Sequence, residues 1–452
     1  MVEAMVNSVE DYLIDGLSFK LQPGASYVTD RRSVSFFVAG SNDYAPGAGA
    51  RVARLNLNSD GWLDPSTVRV LYTLVNTDTA AGHYLRPISG PWSFFRRCRC
   101  LVGGAIVDDI DYYNRVHEMM NILTSKNNKD NAAVEGFGAS WNDASLYKTW
   151  NESETQTVPP GKNRTVSFKP LLGLFNQPKY IPLAWSPLTL EFEISNDALE
   201  PIINVDGTVY TTDNTSKTWK IQDIRVVCDI VTLDSSLQNN YAEHVLSGKS
   251  LPINYSTYVS QFQTITSGDI VANVSRAVTR LKSVFVNFDY EHSLTGADNT
   301  LKLKSAVVHR PFNTFAGPFR LNDFYNVGPY DYDKELQWQI QIGSKMFPEY
   351  PARSLAESFY QLKKSLGIHG SAYHSVDIDF KKYGTDHFIL GIDTEKILEA
   401  GFTGLNTRAG DLMVVRVKGA NQNMTQWCNK MYIMLHTDQI LEIRDSGAQV
   451  FD

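Results

Sequence analysis

His117 and Glu118 stand side by side where a helix is predicted. They are the first half of the H-E-x-x-H pattern, which sets two imidazoles on a zinc ion with a carboxylate beside it. The second ligand position holds Asn121, so the pattern fails. Asp331, Asp333 and Glu335 imitate the opening of a calcium loop, but the glycine at its sixth position and the later bidentate glutamate are missing. Gly367-Ile368-His369-Gly370, with His374, Asp377 and Asp379 close behind, gathers imidazoles and carboxylates that could ligate a transition metal. Asp377 and Asp379 also alternate as the solvated face of a short surface strand would, which is the simpler account. Asp108, Asp109 and Asp111 precede a helical pattern, and carboxylates at a helix N-terminus are already explained by the helix dipole. No G-x-S-x-G elbow, Walker A loop or Rossmann glycine signature is present. No catalytic, cofactor-binding or metal-ligating residue is assigned, and no cofactor is expected.

Arg96, Arg97 and Arg99, with Trp92, Phe94 and Phe95, form the one basic and aromatic cluster. Such a cluster can bind single-stranded nucleic acid by stacking and charge. Strand alternation puts Phe94, Arg96, Cys98 and Cys100 on one face and Phe95, Arg97 and Arg99 on the other. Arginine on both faces suits an edge strand or a subunit contact, where guanidinium groups pair with carboxylates, and this reading outweighs nucleic acid.

The elements around these residues are short strands. At 452 residues, with 43% hydrophobic, 12% aromatic and 20% charged residues, the chain is a folded protein of two or three domains. Aromatic enrichment favours pleated, half-buried strands. The formal net charge is −7, and the first thirty residues hold Lys20 against five acidic residues, so there is no basic arm to grip a genome. Four cysteines (Cys98, Cys100, Cys228, Cys428) are too few for a disulfide scaffold and read as buried thiols. No run reaches the ~18–20 apolar residues of a membrane span, and no secretion signal opens the chain. The six N-x-S/T sequons therefore carry no weight, and synthesis in the cell interior is expected.

Residues 2–14 space Val2, Met5, Val9, Tyr12 and Leu13 as an amphipathic helix, stopped by Gly16. Strands are predicted over 26–40, 50–58, 66–77, 93–107, 164–171, 188–195 and 219–234, with a helix over 108–125 and a long surface loop after it. In 188–195, Leu188, Leu190, Phe192 and Ile194 face one side, and Thr189, Glu191 and Glu193 the other. A polar connector with a short helix follows. Strands resume at 255–268, 279–290, 303–312, 335–343, 374–380, 411–419 and 430–443, with a helix over 351–367 closed by Gly367. Residues 219–234 and 430–443 occupy equivalent places roughly 210 residues apart, a sign of internal duplication.

Residues 85–119 (LRPISGPWSFFRRCRCLVGGAIVDDIDYYNRVHEM) and 170–194 (PLLGLFNQPKYIPLAWSPLTLEFEI) resemble double jelly-roll major capsid proteins of eukaryotic double-stranded DNA viruses and their bacterial relatives. They are most similar to the smaller members, from polinton-like and related algal or protist viruses. The resemblance implies an all-β chain of two tandem eight-stranded antiparallel jelly-roll sandwiches with short helices in loops. The corresponding division is an N-terminal helical segment 1–16, a first jelly roll 17–235, a linker 236–254 and a second jelly roll 255–452. It further implies a homotrimer of pseudo-hexagonal outline, lateral contacts between such capsomers in an icosahedral virion shell, and minor capsid or penton proteins as partners. No sequence-specific nucleic acid is implied, and an internal membrane could lie against the inner face, near the N-terminal segment. Long loops such as those between strands D and E and between F and G form the outer towers in the family; 126–163 and 196–218 are the candidates. The expected role is structural, not enzymatic. A carbohydrate-binding or glycoside-cleaving β-sandwich is the alternative, but it needs a pair of carboxylates ~5–10 Å apart in a groove, and no such pair is nominated. A minor capsid or spike protein is a third reading, weakened by the presence of two sandwiches.

Overall fold

A computed structural model describes residues 27–87, 89–125, 128, 134–137, 157–202, 216–267, 269–289, 337–369, 376–378, 383, 388–398, 401–408, 412–418 and 430–452. The predicted helix at 2–14, the predicted strand at 303–312, Asp331, Asp333, Glu335, His374, Asp379 and Cys428 lie outside them.

Alternation of apolar and polar residues builds four antiparallel sheets. In the first, β1 (Val28–Phe37), β10 (Trp219–Leu233), β4 (Trp62–Asn76) and β7 (Asn163–Phe168) lie side by side in that order, with β2 (Asp43–Tyr44) on β10 and β8 (Ile181–Pro182) on β4. In the second, the order is β3 (Val52–Leu57), β9 (Leu188–Ile194), β5 (Phe95–Val102) and β6 (Ala105–Asp111). The third runs β11 (Leu251–Thr264), β18 (Lys430–Arg444), β13 (Leu281–Asp289), β16 (Leu390–Asp393), with β19 (Gly447–Phe451) on β18. The fourth runs β12 (Ile270–Val274), β17 (Met413–Lys418), β14 (Gln337–Ile342), β15 (Lys345–Ala352).

Letter the eight principal strands of each half B to I in chain order. Both halves then read B-I-D-G in one sheet and C-H-E-F in the other. This is the jelly-roll connection, made twice. The fold is all-β, two tandem eight-stranded sandwiches with short helices: α1 (Tyr113–Ile122), α2 (Ser235–Leu246) and α3 (Leu355–Ser365). The two strands at 219–234 and 430–443 hold the same I position, and α1 and α3 each follow strand F.

The first core is aromatic. Tyr72 on β4 meets Phe95 on β5 edge-on at 5.4 Å, and Phe95 meets Phe192 on β9 at 5.3 Å. The expected alternation of β9 is present: Leu188, Leu190, Phe192 and Ile194 are fully buried, Thr189 and Glu193 are half-buried between them, and Glu191 is itself buried under its arginine partners. Each such large apolar side chain contributes ~1.5–3 kcal/mol by leaving water.

Several local expectations are corrected. The run 93–107 is a hairpin, β5 and β6, because Gly103 and Gly104 take φ of +54° and +90°, which most side chains resist. A register shift between Phe95 and Arg97 breaks the alternation there, so Phe95 turns into the core with Cys98 and Cys100. β5 is flanked by β9 and β6, so it is not an edge strand. Asp108, Asp109 and Asp111 sit on β6, whose ladder with β5 keeps the chain extended, and the helix starts only at Tyr113. The loop 196–218 joins H to I rather than D to E or F to G; residues 126–163 do join F to G. Residues 376–378 form no strand; Ile378 instead packs against the core. Strands β12, β15 and β16 were not anticipated, and β15 carries Pro348 and Pro351, which hide its strand character.

Candidate functional site: an arginine lattice and the junction between sandwiches

The residues with apparent chemistry are engaged structurally. His117 is half-buried, stacks on Trp92 at 4.1 Å, and holds the Lys169 carbonyl with Nε2 at 3.1 Å. Burial lowers its pKa to about 4, so the ring is neutral. Glu118 accepts from Trp92 Nε1 at 2.7 Å and from the Ser89 hydroxyl. Among the described residues no cluster of three or more His, Cys, Asp or Glu could hold a metal ion. Cys98, Cys100 and Cys228 are free, buried thiols, and burial pushes the Cys228 thiol up to about 12.

The arginine cluster is held by carboxylates on neighbouring strands. Arg97 on β5 reaches Asp109 on β6 at 2.6 Å, Arg99 reaches Asp109 at 3.3 Å and Glu191 on β9 at 3.5 Å, and Arg54 on β3 also binds Glu191. Arg96 reaches Asp111 at 3.2 Å and lies 4.0 Å over the Tyr112 ring. Burial would raise the Asp109 carboxyl, but the hydrogen bond from Arg97 and the charges of Arg97 and Arg99 outweigh it and hold it low. Trp92, Phe94 and Phe95 are in the core. The aromatic faces that would stack on bases are therefore unavailable, and the lattice ties four strands together at ~0.2–1 kcal/mol per pair.

The second constellation lies where the sandwiches meet. Edge strand β6 of the first faces edge strand β11 of the second. Tyr255 of β11 donates to the Val107 carbonyl at 3.0 Å and lies 2.7 Å from Gln439 Oε1, and the Ser260 hydroxyl donates to the Asp111 carbonyl. These hydroxyls satisfy carbonyls that an edge strand would leave bare. Tyr112 packs on Phe262 and Tyr432 at 5.5 and 5.3 Å, and Arg115 lies 5.2 Å over Tyr432. Gly173 permits the close approach: a Cβ there would sit 2.2 Å from the Ser256 carbonyl oxygen. Asp108 is buried in this junction, where burial raises its pKa to about 6. Sequence reading found Tyr112 and Gly173 only as parts of segments and read Asp108 as a helix start, because nothing local says that strands over 140 residues apart, such as those of Val107 and Tyr255, will meet.

His369 and Asp377, which are described, belong to neither constellation. The arrangement offers packing and adhesion rather than a reaction centre.

No protein-family model matches the chain, and no curated protein matches it in sequence. Solved structures do. A chain of the Sputnik virophage structure aligns at TM-score 0.58 and 10% identity, covering 96% of this chain and 90% of that one. The quasi-atomic model of the PBCV-1 virus capsid aligns at 0.56 and 13% identity, covering 96% and 100%. The Faustovirus major capsid protein aligns at 0.52 and 9% identity, covering 95% and 94%. At these identities the shared property is the fold, which spans nearly the whole chain and includes both jelly rolls.

Proposed function

We propose that this chain is a structural major capsid protein, in which three copies form a capsomer of pseudo-hexagonal outline and capsomers tile an icosahedral shell. The observation that carries the reading is repetition: one strand order, made twice in tandem and joined edge to edge, gives one chain two similar walls. The same fold in viral capsid structures supports it. The division that goes with this reading is a segment 1–16, a jelly roll 17–235, a linker 236–254 and a jelly roll 255–452.

The protein would be made inside the host cell and end in the virion. Its partners are other copies of itself, then minor capsid or penton proteins, with an internal membrane on the inner face where the shell encloses one. No catalytic, cofactor or metal site belongs to this role, and the genome is not gripped through bases. The sugar-processing alternative has little support, since Asp109, Asp111 and Glu191 are held in ion pairs.

Light scattering on purified protein, with negative-stain images of the same peak, tests the proposal. The expected species has about three times the 50.7 kDa chain mass and a hexagonal outline. A monomer at all concentrations would overturn it.

A further inference from the structure

Asp108 on β6 and Thr257 on β11 belong to different sandwiches, and both are buried where the sandwiches meet. Asp108 Oδ2 accepts from the Leu174 N–H at 3.3 Å. Its other oxygen, Oδ1, has no hydrogen-bond partner, and neither has the Thr257 hydroxyl. Leaving a buried polar atom unpaired is costly, and here two such atoms adjoin from opposite sides of one interface. The groups facing Asp108 offer it no cation. Its own strand supplies Asp109, which is held by Arg97 and Arg99 and still pushes the Asp108 pKa up. β5 supplies the Cys98 and Cys100 thiols and β11 the Tyr255 phenol, all neutral because burial raises their pKa values. β18 supplies the Gln439 amide, which in turn donates to Asp452 at 2.7 Å. The turn Gly173–Phe175 gives only backbone N–H groups. Burial outweighs these hydrogen bonds and that of Thr257, and raises the Asp108 pKa to about 6.

We infer that Asp108 and Thr257 form a proton-operated latch between the two sandwiches: a proton taken from solvent onto Asp108 Oδ1 and donated to the Thr257 hydroxyl oxygen closes the junction, and its loss loosens it. Oδ1 is the oxygen that carries the proton, because Oδ2 already accepts from Leu174. With the proton in place the two unpaired atoms satisfy each other, and one hydrogen bond runs directly from the first sandwich to the second. Without it a bare carboxylate is buried beside Asp109, and the anion is relieved only when water enters between β6 and β11. The Tyr255 and Ser260 hydroxyls hold the Val107 and Asp111 carbonyls on either side, so the sandwiches stay tethered while the contact between them slackens. The two walls of one chain are thus held rigidly together in mild acid and loosely above neutrality. The latch depends on the junction alone and stands apart from the capsomer reading.

Hydrogen exchange on the full chain tests the latch, read by mass spectrometry on peptides spanning 105–112 and 251–260 and corrected for the intrinsic pH dependence of exchange. In wild type, protection of both peptides relative to the interior strand β4 should fall about tenfold between pH 5 and pH 8. Asp108→Asn supplies a permanent N–H in place of the proton and a carbonyl for Leu174, so its protection should stay at the pH 5 level throughout. Thr257→Val keeps the side-chain shape and removes the acceptor, so protection at pH 5 should drop about threefold or more. This variant leaves Asp108 in place and remains a test should Asp108→Asn fail to fold. Wild-type protection that is level from pH 5 to pH 8, Asp108→Asn protection that follows wild type, or Thr257→Val protection equal to wild type at pH 5 would each overturn the latch.

Discussion

β10 and β18 hold the same place in their sandwiches and have the same length, 15 residues, yet their burial differs. β10 alternates: Trp219, Ile221, Val226 and Cys228 are buried, while Lys220, Gln222, Arg225 and Asp229 are half-exposed between them. β18 is buried on both faces over most of its length, from Met431 to Leu435 and from Thr437 to Gln439. Its extra cover comes from outside its own sandwich, since Tyr432 lies under Tyr112 and Arg115 of the first jelly roll. Asp438, also on β18, is satisfied by the Phe402 backbone N–H at 2.9 Å and by the Ser256 hydroxyl. Two copies of one topology can thus carry different surfaces, because what lies beyond the sheet decides whether an outward residue must be apolar.

The largest expected difference follows from that cover. Tyr432→Ala should cost ~3–5 kcal/mol, the range for a buried aromatic truncated to a cavity. Val227→Ala, on the half-exposed face of β10, should cost less than about 1 kcal/mol. Denaturant unfolding of the two variants checks this, and equal losses would break the comparison.

Asp108 comes next. Its folded pKa, about 6, is above the ordinary carboxyl value of 3.8, so the folded protein binds the proton more tightly than the unfolded chain does. Its contribution is full below pH ~4 and is lost as the pH rises through about 6, on the order of 2–3 kcal/mol. His117 and His436 run the other way: burial holds both near 4, so their contribution is present above the usual 6.5 and is lost as the pH falls through 4. Both histidines remain in Asp108→Asn, so comparing that variant with wild type isolates the carboxyl. Acidification from pH 7 to 4 should stabilise wild type relative to the variant; a constant difference across that range would contradict the assignment.

Gly173→Ala is expected to be smaller, ~1–3 kcal/mol of overpacking, and it sharpens the comparison in another way. It pushes on the Ser256 carbonyl while leaving both cores intact. Calorimetry should then resolve two transitions where wild type gives one, because the junction couples the sandwiches.

Most of the strands were legible because the period of two appears in their own residues, as in Leu188, Leu190, Phe192 and Ile194. The C-terminal end of α3 was legible too, since Gly367, at φ +70°, ends the helix, but its start was not: residues 351–352 belong to β15, and Ser354 caps the Glu357 N–H at 3.1 Å. The misreadings share a cause. Asp108, Asp109 and Asp111 resembled a helix start because three carboxylates cluster there; Asp109 is in fact held by Arg97 and Arg99 and Asp111 by Arg96, all on the adjacent strand, while Asp108 turns to the Leu174 N–H, and only the β5–β6 register sets this out. The bulge at Phe95 is likewise invisible in the residue pattern, since it is a property of the pairing with β9.

By itself the sequence determined that the chain is built mainly of short strands and hinted at their duplication, because periodicity and turn residues are local; the jelly-roll connection came only as what the family resemblance implies. The tertiary structure decided which edges meet and cover each other. Tyr255 finds the Val107 carbonyl, and Gly173 meets Ser256, only after two separately folded sandwiches have closed on each other. Such contacts depend on the relative placement of distant strands, and no period within either strand encodes that placement.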